Sequence, residues 1–184
     1  MFENISPVWL IVFGMLLCLV LVFIFRKINT LLTQLFKPFK KGQTYWCKVI
    51  AVSDGDTLTC YRLNFRRSQT KIRFAYIDAP ESSQTYGHES QKIVQKMVYQ
   101  KIVRIQITDT DRYGRHVGVI YRIYKNVNKE LVKHGAAWVY EDYIKDKKHR
   151  EHWLQLQSKT KTQKPSLWKS SQTVRSSVDR RQEK

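Results

Sequence analysis

The chain is poor in cysteine and in acidic side chains, and its histidines form no pattern suited to a metal. Only Cys18, Cys47 and Cys60 are present, with no CxxC and no regular spacing, which excludes a disulfide framework and a zinc ribbon. Cys18 falls inside an apolar run. Cys47 and Cys60 could bridge only if their strands paired, and buried free thiols are the favoured reading. His88, His116, His134, His149 and His152 include no HExxH pair, and His149 and His152 share a helix face expected to be solvated. Acidic residues number 15 against 33 Lys and Arg, a net charge of +18. Glu3 is the only charged side chain before Arg26, so residues 26–184 carry +19. Such a field selects polyanions, either nucleic acid or an anionic membrane surface.

With 184 residues, the chain has room for one ordinary domain. A multidomain enzyme and a multi-span transporter are excluded. Residues 8–25 (VWLIVFGMLLCLVLVFIF) contain no charge and match the ~17 to 25 residues that cross a bilayer, which argues against a wholly soluble protein. The tail before them, MFENISP, has no Lys or Arg, and the run ends in FIFRK rather than in the small residues of a cleavage site. An uncleaved single-pass anchor is therefore expected. Arg26, Lys27, Lys37, Lys40 and Lys41 all follow the run, so the positive-inside rule places the following domain in the cytoplasm, with the extracytoplasmic side as the alternative. The basic stem, 26–44, either lies on anionic headgroups or is solvated. Residues 169–184 offer only Val174 and Val178 as apolar points and are expected to be disordered.

The folded domain then spans 45–168. Partial alternation predicts strands over 45–52, 57–63 and 70–77, with the SDGD turn at 53–56 and a second hairpin tip at 64–69. A helix over 89–101 sets Ile93, Val94, Met97 and Val98 on one face. Strands follow over 103–108 and 116–124, then a short helix over 127–134 stopped by Gly135 as C-cap. A polar helix over 146–161 carries Trp153, Leu154 and Leu156, with Pro165 beyond it. Short strands with interleaved helices suggest a small closed barrel, an OB-type arrangement in the α+β class.

Three clusters carry chemistry: Asp54-Gly55-Asp56-Thr57; Arg73 to Asp78-Ala79-Pro80-Glu81; and Asp111-Arg112-Tyr113-Gly114-Arg115. Each puts carboxylates or guanidinium groups at a strand end, where a rigid frame presents them. Alone, each has a plain structural reading. A DGD turn is what any tight hairpin favours, and Asp111 to Arg115 reads equally as a salt-bridged surface turn.

Taken in order, the three clusters resemble the staphylococcal nuclease (thermonuclease) family over 45–168. Tyr86-Gly87-x-Glu89, Val127-Asn128-x-x-Leu131-Val132-x-x-Gly135 and the closing Lys164-Pro165-Ser166-Leu167-Trp168 strengthen the likeness. The resemblance implies a five-stranded OB-like β-barrel with three helices, here preceded by one transmembrane helix, and a calcium-dependent phosphodiesterase acting on DNA and/or RNA, single-stranded or unpaired. It implies Ca²⁺ ligands at Asp56, Asp78 and the carbonyl of Ala79, where many relatives have Thr, with Asp54 farther out. Glu81 takes the part of general base, Arg73 and Arg115 bind the scissile phosphate, Arg112 and Tyr113 contact a neighbouring phosphate, and Tyr143 stacks a base. The 80–86 segment is shorter than in the type enzyme, and the 64–71 hairpin is longer and more basic.

The chemistry is coherent without the name. A phosphodiester under in-line attack gains charge on its equatorial oxygens, so a cation and planar guanidinium forks stabilise the transition state more than the ground state. One carboxylate must remain off the metal to accept a proton. A non-catalytic nucleic-acid-binding module of the same fold would be expected to have lost part of the set Asp56, Arg73, Asp78, Glu81 and Arg115, yet all are present. A basic membrane-surface adaptor has no use for three carboxylates in a basic groove.

Overall fold

A computed structural model of the chain describes residues 7–35, 39–63 and 68–163. The tip of the second hairpin with Arg66 and Arg67, the stem's Lys37, and the closing 164–184 segment lie outside the described residues. The chain divides into two compact units, Met1–Pro38 and Phe39–Lys184.

The described residues of the first unit form one helix, α1 (Pro7–Leu35). Proline suits its first position, where the missing N–H costs nothing. Residues Val12–Asn29 are apolar enough to cross a membrane and none is buried. The helix does not stop where charge begins at Arg26. It runs on through the first part of the stem, since no Gly or Pro interrupts the sequence between Gly14 and Pro38.

The second unit is a closed barrel. In chain order its elements are β1 (Thr44–Val52), β2 (Thr57–Arg62), β3 (Gln69–Phe74), β4 (Ile77–Asp78), α2 (Gly87–Val98), β5 (Ile102–Thr110), β6 (His116–Arg122), β7 (Lys125–Asn126), α3 (Val127–Lys133), β8 (Trp138–Val139) and α4 (Lys147–Gln163). A single 3-10 turn, Glu141–Tyr143, precedes α4. The strand order is β3-β2-β1-β5-β6, and β6 closes the ring by pairing in parallel with β3. Five strands and three helices after α1 agree with the expected OB-like barrel.

Strand parity explains the closure. In β1 the inward side chains are Tyr45, Cys47 and Val49, then Val52. The register slips between Val49 and Ala51, and this bulge switches the parity and bends the strand toward the acidic turn. β5 repeats the device, with Val103, Ile105 and Ile107 inward and a slip between Ile107 and Asp109. Leu58, Ile72, Phe74 and Ile120 fill the barrel, and Val94, Val98, Leu131, Val132 and Trp153 join them from the helices. All of these lie in the second unit, which therefore carries its own core. Cys47 and Cys60 are buried free thiols. Hydrogen bonding with Cys47, reinforced by burial, pushes the Cys60 thiol far above its ordinary range.

α3 ends in a Schellman motif at Gly135. Gly135 has φ +64 and its N–H donates to the Val132 carbonyl, while the Ala136 N–H donates to that of Leu131. α2 occupies Gly87–Val98 rather than 89–101. Gln100, at φ +54, turns the chain into β5.

The expected strand over 70–77 is the main correction. It breaks after Phe74, Tyr76 takes φ +68, and Ile77–Asp78 pairs with β8 instead. The turn is fastened from three sides. The Ala75 N–H donates to the Gly118 carbonyl, the buried Asn128 amide donates to the Ala75 carbonyl, and the Tyr140 N–H donates to that of Tyr76. Asn128 also accepts from the Ile120 N–H, so one side chain ties β6, the turn and α3 together.

Candidate active site

The break at Tyr76 doubles the chain back so that Asp78 meets Arg73 at the end of β3. Arg73 Nη2 lies 2.7 Å from Asp78 Oδ1 and 3.0 Å from Asp56 Oδ2. Asp56 heads β2 and is fixed locally: the Thr57 hydroxyl donates to its Oδ1 at 2.9 Å, and its own N–H is turned onto Asp54 Oδ1 at 3.1 Å. Its carbonyl receives the Phe74 N–H. Asp56, Asp78 and Ala79 are all buried. The three residues named for a metal therefore sit at one place, with Arg73 across them.

The charges there do not balance. Burial drives the Asp56 carboxyl well above the usual carboxylate range; Arg73 opposes the shift, and Asp54 and Asp78 add to it. Burial also works against the charge of Arg73, but Asp56 and Asp78 outweigh it and hold the guanidinium protonated. Asp56 and Asp78 thus share one largely buried guanidinium, with Asp54 adding its charge from farther off. The surplus of hard oxygen charge suits a divalent cation such as Ca²⁺. Among the described residues no three Asp, Glu, His or Cys side chains form a metal-holding group. A cation at this place would rest on two carboxylates, the Ala79 carbonyl and water.

Arg115 is held by different means. Its Nε donates to Asp111 Oδ2 at 2.7 Å, and its backbone N–H and that of Tyr113 both donate to Asp111 Oδ1 at 2.9 Å. Gly114, at φ +76, allows the tight turn. Burial opposes the charge on Asp111, but the hydrogen bonds from Arg115 and Tyr113 prevail and keep its carboxyl below the ordinary range. Arg112 and Arg115 both face the Tyr113 ring, 5.0 Å and 5.5 Å from its centroid.

A pocket of about 320 Å³ joins the two arginines. Arg73 and Arg115 line it together with Arg112, Tyr113, Tyr143 and Asp111. Five of the nine predicted site residues thus surround one cavity. Glu81 stands on the exposed loop after Pro80, its backbone clamped by Gln84: the Glu81 N–H donates to Gln84 Oε1, and the Gln84 N–H donates to the Glu81 carbonyl, each at 2.8 Å.

Tyr140 and His149 also line this pocket, and the sequence gives neither a part in it. Tyr140 packs against Tyr143 at a tilt of 52°, ring centroids 4.6 Å apart. His149 is half-buried rather than solvated, against expectation. The Trp153 indole N–H donates to its Nε2 at 2.9 Å, and the ring lies 5.2 Å from Tyr76. An indole can only donate, so Nε2 is the accepting nitrogen of this contact. The available signal was the His149-x-x-x-Trp153 spacing, which puts the two rings on one helix face.

A five-stranded barrel with two arginines on one aromatic-lined pocket and buried carboxylates against one of them is an arrangement suited to phosphodiester chemistry. A family model described as staphylococcal nuclease homologue matches residues 71–170, and the chain belongs to that family. An uncharacterized endonuclease of Haemophilus influenzae is 42% identical over 138 residues, covering 75% of this chain and 74% of the relative. Another from Escherichia coli O157:H7 is 38% identical over 128 residues, 69% of this chain and 79% of its own. The micrococcal nuclease of Shigella flexneri is 30% identical over 140 residues, 66% of this chain and 79% of its own. The protein is accordingly a nuclease, a hydrolase whose substrate is nucleic acid.

Proposed function

We propose that the chain is a membrane-anchored, Ca²⁺-dependent nuclease that hydrolyses phosphodiester bonds of unpaired DNA or RNA. The observation that supports the metal dependence is the pair of buried carboxylates, Asp56 and Asp78, brought together on one guanidinium, that of Arg73. Ca²⁺ held by those two carboxylates and the Ala79 carbonyl would supply a positive charge to the scissile phosphate. Arg73 and Arg115 grip the same phosphate with planar forks, which strengthen as charge develops on its equatorial oxygens. Glu81, off the metal and open to solvent, takes a proton from the attacking water. The oxygen of that water then forms the new bond to phosphorus as the bond to the leaving oxygen breaks, and the leaving oxygen takes up a proton from solvent.

The pocket fits the rest of a nucleotide chain. Arg112 and Tyr113 meet the adjoining phosphate, and the Tyr140 and Tyr143 rings offer faces on which a base stacks. Stacking favours unpaired strands, and neither it nor phosphate contact imposes much sequence preference.

α1 supports the anchor, and the basic residues that follow its apolar run favour a cytoplasmic nuclease domain. The test is cleavage of single-stranded DNA and RNA by the full chain in detergent, with Ca²⁺ and then with excess chelator, alongside Glu81→Gln. Cleavage that stops in chelator and is crippled in the variant supports the reading. Equal cleavage in chelator removes the metal from it, and binding without cleavage makes the chain a binding module.

A further inference from the structure

The barrel carries a second surface, on the outer side of β1 and β5 and on the turn that ends β6. Trp46 on β1 pairs with Arg104 on β5, and the Arg104 guanidinium lies over the Tyr121 ring, 4.9 Å from its centroid. One step along, Lys48 pairs with Ile102. Trp46 is 59% exposed and Ile102 52%. The hairpin turn that follows Tyr121 places Ile123 and Tyr124 in water at 75% and 98% exposure, between Arg122 and Lys125.

That turn contradicts its own local chemistry. Ile123 has φ +55, a left-handed conformation that β-branched side chains rarely adopt and that hairpins usually give to Gly or Asn. The fold thus holds an apolar side chain in a strained conformation at a tip where it packs on little. Strain kept in this way clusters at surfaces that do something.

We propose that this face seats on an anionic lipid surface, with Ile123 and Tyr124 entering the headgroup boundary and Trp46 beside them. Trp and Tyr favour that boundary, and Lys48, Arg104 and Lys125 supply the charge that anionic headgroups attract. A nucleic-acid platform would explain the aromatic and cationic side chains, but not the exposed Ile102 and Ile123, which offer neither a stacking face nor a charge. The proposal goes beyond the nuclease reading and draws on the anchor reading only for proximity. Only residues 36–38 separate α1 from the second unit, so a chain anchored through α1 keeps the barrel within reach of the membrane.

The test uses the fragment 39–184, which contains the whole barrel core and lacks α1, so its result is independent of the anchor. The fragment is floated with vesicles of phosphatidylcholine containing phosphatidylglycerol, and with phosphatidylcholine alone. It is expected to float with the anionic vesicles, and Ile123→Ser/Tyr124→Ser should reduce its partition at least about tenfold, the scale of losing buried apolar side chains. Single-stranded DNA cleavage should be unchanged. Tyr124→Ser alone, at a side chain almost wholly in water, should show a smaller loss in the same direction with the melting temperature unchanged. Three outcomes overturn the proposal: no flotation of the wild-type fragment; equal flotation of the double variant, which would mean unspecific attraction by net charge; or a parallel loss of DNA binding, which would make this a nucleic-acid face. Failure of the anchor reading is seen separately, as release of the full chain from membranes by alkaline carbonate.

Discussion

A Cβ added to Gly87 would lie 1.9 Å from the carbonyl oxygen of Glu81. The first residue of α2 thus packs directly on the backbone that carries the proposed base. The contact closes a small loop, since the Gly87 N–H also donates to the Gln84 carbonyl at 2.9 Å. Gly87→Ala should push the Glu81 loop outward. Because Glu81 must meet its water at hydrogen-bond range, kcat is expected to fall by about tenfold or more, while the loss of stability stays within the ~1 to 3 kcal/mol of an overpacked site. Steady-state kinetics beside a urea melt separates the two.

The carboxylate surplus leads to a second expectation. Asp56 and Asp78 are buried against one guanidinium, so added Ca²⁺ should raise the melting temperature of the wild type. At a hundredfold excess over Kd, the gain is about 2.7 kcal/mol. Asp78→Asn removes a ligand charge and should shift the Ca²⁺ titration to higher concentration. Arg73→Met removes the guanidinium that Asp56 and Asp78 share and should destabilise the metal-free protein by roughly 3 to 5 kcal/mol, with Ca²⁺ recovering part of the loss. Thermal melts with and without chelator read all three. A wild type indifferent to Ca²⁺ would count against the proposed metal site.

Much of the fold was legible because the barrel strands obey period two and the acidic and basic clusters stand at their ends. Val127 to Gly135 was legible for a similar reason, since Gly at the C-cap has a local cause. The break after Phe74 was not. Tyr76 has no intrinsic preference for φ +68, and its conformation is imposed by Gly118, Asn128 and Tyr140, residues distant in sequence. Tyr140 and His149 escaped for the same reason. Their place in the pocket depends on β8 pairing with β4 and on α4 packing against that turn. Asp111 was read as a member of a cluster without a part of its own, because a hydrogen bond back to Arg115 is also what a plain surface turn would make.

Asp111 allows a prediction in pH. Its carboxyl is held below the ordinary range in the folded protein, so its contribution to stability is present above the unfolded value near ~3.9 and is lost as pH falls through the lower folded value. The wild type should therefore lose more urea resistance than Asp111→Asn between about pH 5 and pH 2, and the two curves should converge at the acid end. Near neutral pH the variant should be less stable by about 1.5 to 3 kcal/mol, the range for hydrogen bonds to a charged group. Parallel curves across the whole range would show that the Arg115 contact contributes nothing to folding.

The strongest discrimination among the proposed parts comes from comparing substitutions at Glu81, Arg115 and Tyr140 in one assay. Glu81→Gln keeps size and polarity but cannot take the proton, so kcat should fall by at least ~10² with DNA binding retained. Arg115→Lys keeps the charge but loses both the planar fork and the Nε hydrogen bond to Asp111; kcat should fall despite conserved charge, because a point charge cannot grip two phosphate oxygens in the same way. Tyr140→Ala removes a ring that lines the pocket, so its main effect should be on KM. A loss of ~1 to 3 kcal/mol is expected for a stacked base. Affinity of the wild type should fall steeply between ~50 and ~200 mM salt if several phosphates are contacted, and Tyr140→Ala should leave that slope intact because it removes no cation. If Tyr140→Ala instead lowered kcat alone, the ring would belong to the reacting centre and the division between phosphate grip and base platform would fail.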